Sequence, residues 1–154
     1  MSITEIQKII EELLQYSGFS FESISCNSTE DGMVWFAVVS NDSKLIIGKN
    51  GETLEAFNHI ARKIVEQKEG YGGAHTSFVV DVNDYQKKKT ESIKTIAHMM
   101  AERARFFKAS VEIEPMNAFE RKIVHTFLES AKNIKTESVG QGPSRHVVIR
   151  YIEE

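Results

Sequence analysis

Apolar positions along the chain change period several times, and each change predicts a new element. Ile3, Ile6, Ile9, Ile10, Leu13 and Leu14 recur at helical spacing. Ser2 and Glu5 form a capping box at the start of this run, and Gly18 stops it. Phe19 to Asn27 has strand character, with a slip in alternation between Phe21 and Ile24. Asp31-Gly32 is a hairpin turn signal, and Met33 to Val39 is a nearly continuous apolar strand. Lys44 to Ile47 predicts a short helix. Leu54, Phe57, Ile60, Ala61, Ile64 and Val65 predict a longer amphipathic one to about Glu69. After the turn at Gly70-Tyr71-Gly72-Gly73, Phe78, Val80 and Val82 alternate with Val79 and Asp81 as a third strand.

Tyr85 to Lys108 is the longest predicted helix, with Ile93, Ile96, Ala97, Met100, Ala104 and Phe107 on one face. Val111 and Ile113 give a short strand ended by Pro115. Asn117 and Glu120 box the start of the last helix, whose stripe is Ile123, Val124, Phe127, Leu128 and Ala131. Thr136–Val139 and Arg145–Ile152 predict a closing hairpin around Gly140-Gln141-Gly142-Pro143. The sum is an α+β chain with no internal repeat.

Charge changes this picture more than composition does. The net charge is only −3, but it is unevenly spread. Residues 1–43 carry one basic and seven acidic side chains, residues 44–108 twelve and eight, and residues 109–154 six and seven. Positive charge thus begins at Lys44 and runs through two helices, as clustering for a polyanion requires. The cations of the long helix (Lys87, Lys88, Lys89, Lys94, Arg103, Arg105 and Lys108) fit either that footprint or a solvated face. The single cysteine, Cys26, excludes an intrachain disulfide and is expected to pack in its strand. With no long apolar run and no basic-then-apolar leader, the expected location is cytoplasmic.

Two stretches carry candidate chemistry. Gly48-Lys49-Asn50-Gly51 joins the apolar run ending in Ile47 to a helix start. Paired glycines admit positive φ and close backbone approach, the helix end offers N–H groups, and Lys49 adds a charge. Such a loop suits the sugar-phosphate backbone of a single strand. Ile46, Ile47, Leu54 and Phe57 are either the floor of a base-binding groove beside it or core. Trp35 is likewise either a stacking surface or sheet packing. Further on, Arg121 and His125 lie one helical turn apart. Arg supplies a permanent fork for phosphate oxygens, and His a donor fully charged only below about pH 6.5.

Catalysis is not expected. His59, His75, His98, His125 and His146 show no metal-ligand spacing. Cys26 has no evident base nearby, and Gly48-x-x-Gly51 lacks the Lys-Ser/Thr ending of a P-loop. No metal or cofactor is implied.

The element order of residues 1–84 resembles a type II KH domain, a three-stranded sheet with helices on one face. Pro115-Met116-Asn117-Ala118-Phe119-Glu120-Arg121-Lys122-Ile123-Val124-His125 is similar to the signature helix of the Arg-x-x-x-His single-strand-binding domain, here residues 85–154. Both modules in this order, joined by a basic helix, resemble the bacterial Jag family, also called SpoIIIJ-associated proteins or KhpB. The resemblance implies a non-enzymatic single-stranded RNA-binding protein, a post-transcriptional regulator or RNA chaperone linked to cell elongation, division or sporulation. It implies contacts from Ile47, Gly48, Lys49, Asn50, Gly51, Arg121, His125 and, more weakly, Arg145, with single-stranded DNA as an alternative ligand. A small single-KH protein, or a second copy of the chain, is the protein partner it suggests, with a looser tie to a membrane-protein insertase. Two departures stand out. Lys49-Asn50 replaces a commonly doubly basic pair. The chain also opens on the KH helix, so roles of the family's further N-terminal domain are not carried over. The alternative reading is an interaction adaptor or dimerisation module with little RNA affinity, which the acidic first segment favours.

Overall fold

The computed structural model describes residues 1–30, 32–70, 72 and 75–153 and is an α+β structure. It divides into two compact units, Met1–Gln86 and Lys87–Glu154. The first unit contains α1 (Ile3–Tyr16), β1 (Ser23–Ser28), β2 (Val34–Val39), α2 (Ser43–Ile47), α3 (Glu52–Glu69) and β3 (Phe78–Val82). The long helix α4 (Tyr85–Phe107) begins just before the boundary. β4 (Val111–Glu112), α5 (Ala118–Leu128), β5 (Ile134–Val139) and β6 (His146–Tyr151) complete the second unit.

In the first unit β2 is central, antiparallel to β1 and parallel to β3. Its alternate residues Val34, Phe36 and Val38 are buried against Ile6, Ile10 and Leu14 of α1 and the apolar stripe of α3. Phe36 meets Phe78 edge to face at 5.9 Å, a favoured aromatic geometry. The capping box closes as the sequence predicts. The Glu5 N–H donates to Ser2 Oγ, and the Ser2 N–H donates to the Glu5 carboxylate at 2.7 Å.

Two asparagines behave as extra peptide groups at the sheet margins. Asn58, buried on α3, accepts the Val80 N–H at 2.8 Å and donates to the Val80 carbonyl at 2.9 Å. It thereby occupies the outer edge of β3. Asn83 accepts the Ser40 N–H and donates to the Ser40 carbonyl, extending the β2–β3 pairing beyond the strands. Buried Asp81 accepts the N–H groups of Val82 and Gln86, and so starts α4.

In the second unit β6 is central, with β4 and β5 antiparallel on either side. Ala97, Ala101 and Ala104 form a narrow ridge on α4, buried with Val124 and Leu128 of α5 and Val147 and Ile149 of β6. Asn117 and Glu120 box α5 reciprocally, each bond 2.9 Å.

Several expectations are corrected. The first strand starts at Ser23 and not at Phe19, because Ser20 is tied to Asp42 and Ser40. Phe19 and Phe21 pack on the core from that irregular segment. Cys26 is exposed, on a strand that borders the sheet. Ile96 and Phe107, expected in the α4 stripe, are 42% and 63% exposed. The turns predicted at Asp31-Gly32 and at Gly70-Tyr71-Gly72-Gly73 involve Asp31, Tyr71 and Gly73, which lie outside the described residues.

Candidate nucleic-acid interface

The glycine loop leaves α2 at Gly48, whose φ of 71° and ψ of −172° suit glycine alone. Asn50 (φ 53°) and Gly51 (φ 81°) then follow in left-handed conformation, and α3 begins with no side-chain cap. A Cβ at Gly48 would lie 2.1 Å from Thr53 Oγ1, and one at Gly51 would lie 2.9 Å from the Tyr85 ring. Both glycines are therefore required by contacts inside the unit. The outward part of the loop is its tip, where Lys49 and Asn50 are exposed. Lys49 makes no ion pair among the described residues.

The groove floor is narrower than the sequence suggests. Ile46 and Leu54 are fully buried and Phe57 nearly so, which assigns all three to the core. Ile47 stays half-buried beside the loop, and Leu45 is exposed. Trp35 is half-buried on the sheet. Charge at this loop is balanced, since Glu52 and Glu55 of the first α3 turn oppose Lys44 and Lys49.

In the second unit Arg121, His125 and Arg145 come together around one loop. Met116 is held at both ends: its N–H donates to the Arg145 carbonyl at 3.2 Å, and its carbonyl accepts from Arg121 Nη1 at 2.7 Å. Arg121 is half-buried, so its stem is packed while part of the guanidinium reaches the surface. The Arg145 side chain turns back to donate to the Gly140 carbonyl.

His125 is engaged on both ring nitrogens, Nδ1 with Thr136 Oγ1 and Nε2 with Ser138 Oγ, each at 2.7 Å. Thr136 and Ser138 are two apart on β5 and so face the same side. Burial, and then the positive charge of Arg121, hold the imidazole below its usual pKa. The ring is neutral at physiological pH, so it offers one donor and one acceptor. One hydroxyl donates to the ring, the other accepts from it, and the accepting hydroxyl has its own proton free for a ligand. This corrects the expectation of a charged histidine donor. His125 acts through the two hydroxyls, which no motif in the sequence singles out. An open cleft of about 360 Å³ continues from this pair between Thr126, Glu129, Ile134 and Lys135.

The cations of α4 are partly spent on neighbouring acids. Lys89 pairs with Glu120 at 2.6 Å, Lys94 with Glu91, and Arg105 with Glu102. Among the described residues no three His, Cys, Asp or Glu side chains gather as a metal site, and no helix is long and apolar enough to cross a membrane.

Residues 91–151 match the family model of the Arg-x-x-x-His domain. Over 127 residues the chain is 32% identical to the RNA-binding protein KhpB of Clostridium symbiosum, covering 82% of this chain and 55% of that protein. The KhpB of Bacillus subtilis is 33% identical over 120 residues, 77% of this chain and 56% of the relative. That of Streptococcus pneumoniae is 25% identical over 151 residues, 94% and 45% respectively. The chain spans about half the length of the curated relatives it matches.

Proposed function

From an Arg-x-x-x-His domain and relatives named KhpB, which together support membership of the Jag/KhpB family, we propose that this chain is a non-enzymatic single-stranded RNA-binding protein with a regulatory role. The observation that carries the reading is the surface cluster of Arg121, His125, Thr136 and Ser138 inside the matched domain. Arg121 gives a permanent charge for a phosphate, and the hydroxyls fixed by His125 give directional donors. Arg145 supports the cluster by holding Met116.

The first unit is read as a type II KH domain, residues 1–84, followed by the Arg-x-x-x-His domain, residues 85–154. Its element order, with β1 antiparallel and β3 parallel to β2, supports that assignment. The loop Gly48–Gly51 is its backbone-binding element, with Lys49 and Asn50 presented at the tip and Ile47 beside them. The site of action is the cytoplasm, and a single-KH protein or a second copy is the protein partner.

The test is fluorescence polarisation with a labelled oligouridine across a salt series. Replacing Arg121 by Ala is expected to weaken binding and lower the salt slope by about one counterion. Aspartates at 49 and 50 are expected to weaken binding while the circular dichroism spectrum is retained. An unchanged slope for Arg121→Ala removes the second site, and unchanged affinity of the loop variant removes the first.

A further inference from the structure

The C-terminal end of α4 carries two adjacent phenylalanines, Phe106 and Phe107, exposed to 82% and 63%. Their rings meet edge to face with centroids 5.0 Å apart, so each is oriented by the other although neither is covered. They lie outside the helix face that builds the core, which is Ile93, Ala97, Ala101 and Ala104. Leaving two large aromatic rings in water is unfavourable, and the sequence around them does not look like an apolar docking face. Arg103 lies three and four residues before them, within side-chain reach on a helix, and exposed Lys108 follows at once. Arg105 Nε donates to the Lys132 carbonyl at 3.0 Å, drawing the exposed Lys132 to the same end of the helix. From Lys132 the chain runs directly into Ile134, Lys135 and Thr136, which line the cleft beside His125.

We infer that Phe106 and Phe107 form a base-stacking platform for single-stranded RNA, extending the Arg121–His125 site along the Lys132–Thr136 segment. This rests on the RNA-binding reading of that site. The chemistry is that of sequence-tolerant single-strand grips: π faces for the bases, with Arg103, Lys108 and Lys132 for the phosphates between them. Any base has a face to stack, so the platform adds affinity and reach without reading sequence.

The test uses the full chain and a fluorescein-labelled oligouridine of about 12 nucleotides. The double variant Phe106→Ala/Phe107→Ala is expected to weaken binding by about fivefold or more. Phe106→Tyr, which keeps a ring, should bind like the parent, and Phe106→Leu, which keeps only apolar bulk, should not. Both positions are exposed, and circular dichroism checks that the fold is kept. If the parent and the Phe variants bind equally while Arg121→Ala weakens binding, the platform is refuted and the RNA-binding reading survives. A parent that binds no RNA refutes both. If light scattering shows a dimer that the double variant turns into a monomer, and RNA affinity does not change, the rings serve a second copy and the proposal falls.

Discussion

Replacing His125 by Phe tests the neutral-imidazole geometry most directly. The substitution keeps an aromatic ring of similar size and removes the two 2.7 Å bonds to Thr136 and Ser138. Each such bond contributes about 0.5–1.5 kcal/mol net, so the expected loss of stability is about 1–3 kcal/mol. Urea unfolding reads it as a lower midpoint at unchanged slope. The pH dependence supplies the sign. Burial and Arg121 place the folded pKa below the ordinary value of 6.5, so as pH falls the unfolded chain takes the proton first. The contribution of this group is therefore full above about pH 6.5 and declines on acidification until the folded ring is also protonated. The Phe variant should lose that acid dependence. RNA affinity of the parent should hold steady from about pH 6.5 to 8, whereas a phosphate-gripping imidazolium of ordinary pKa would lose most of its charge over that range. An NMR titration placing the His125 pKa at or above 6.5, or affinity that collapses between those pH values, would refute the reasoning.

Two further substitutions test the scaffold under the first site. Asn58→Ala deprives the Val80 N–H and carbonyl of their partners in a buried position, and is expected to cost about 2–5 kcal/mol in chemical denaturation; a loss under about 0.5 kcal/mol would show that water replaces the amide. Gly48→Ala forces a glycine-only backbone region and a 2.1 Å approach to Thr53 Oγ1, and should destabilise the unit by about 1–3 kcal/mol from the backbone alone. Equal stability, with RNA affinity lost, would mean that the glycine serves the ligand and not the fold.

What is legible in the sequence is local. Capping boxes at Ser2–Glu5 and Asn117–Glu120 involve residues three apart, so their chemistry is visible without a fold. The glycine loop and the Arg121–His125 pair are visible for the same reason. Contacts between distant segments are not. Nothing near Gly51 announces that Tyr85 will lie over it, nor does anything near Asn58 announce that Val80 will need its amide. The i, i+2 spacing of Thr136 and Ser138 can be read from the strand, but their meeting with His125 depends on how α5 packs on β5. The α4 stripe is misplaced by periodicity because alanines carry little hydrophobic weight. Ile96 and Phe107 pull the apparent face aside, while the close approach that actually buries the helix uses Ala97, Ala101 and Ala104.

The amide of Asn58 has a further effect. By occupying the outward N–H and carbonyl of Val80, it stoppers one margin of the first sheet, and the Asp81 carboxylate does the same for the next outward N–H at Val82. The other margin, β1, has no such plug among the described residues and is lined by short polar side chains. A sheet built this way can lengthen in one direction only, so an incoming strand would find its ladder alongside Ser23–Ser28 and nowhere else on that sheet.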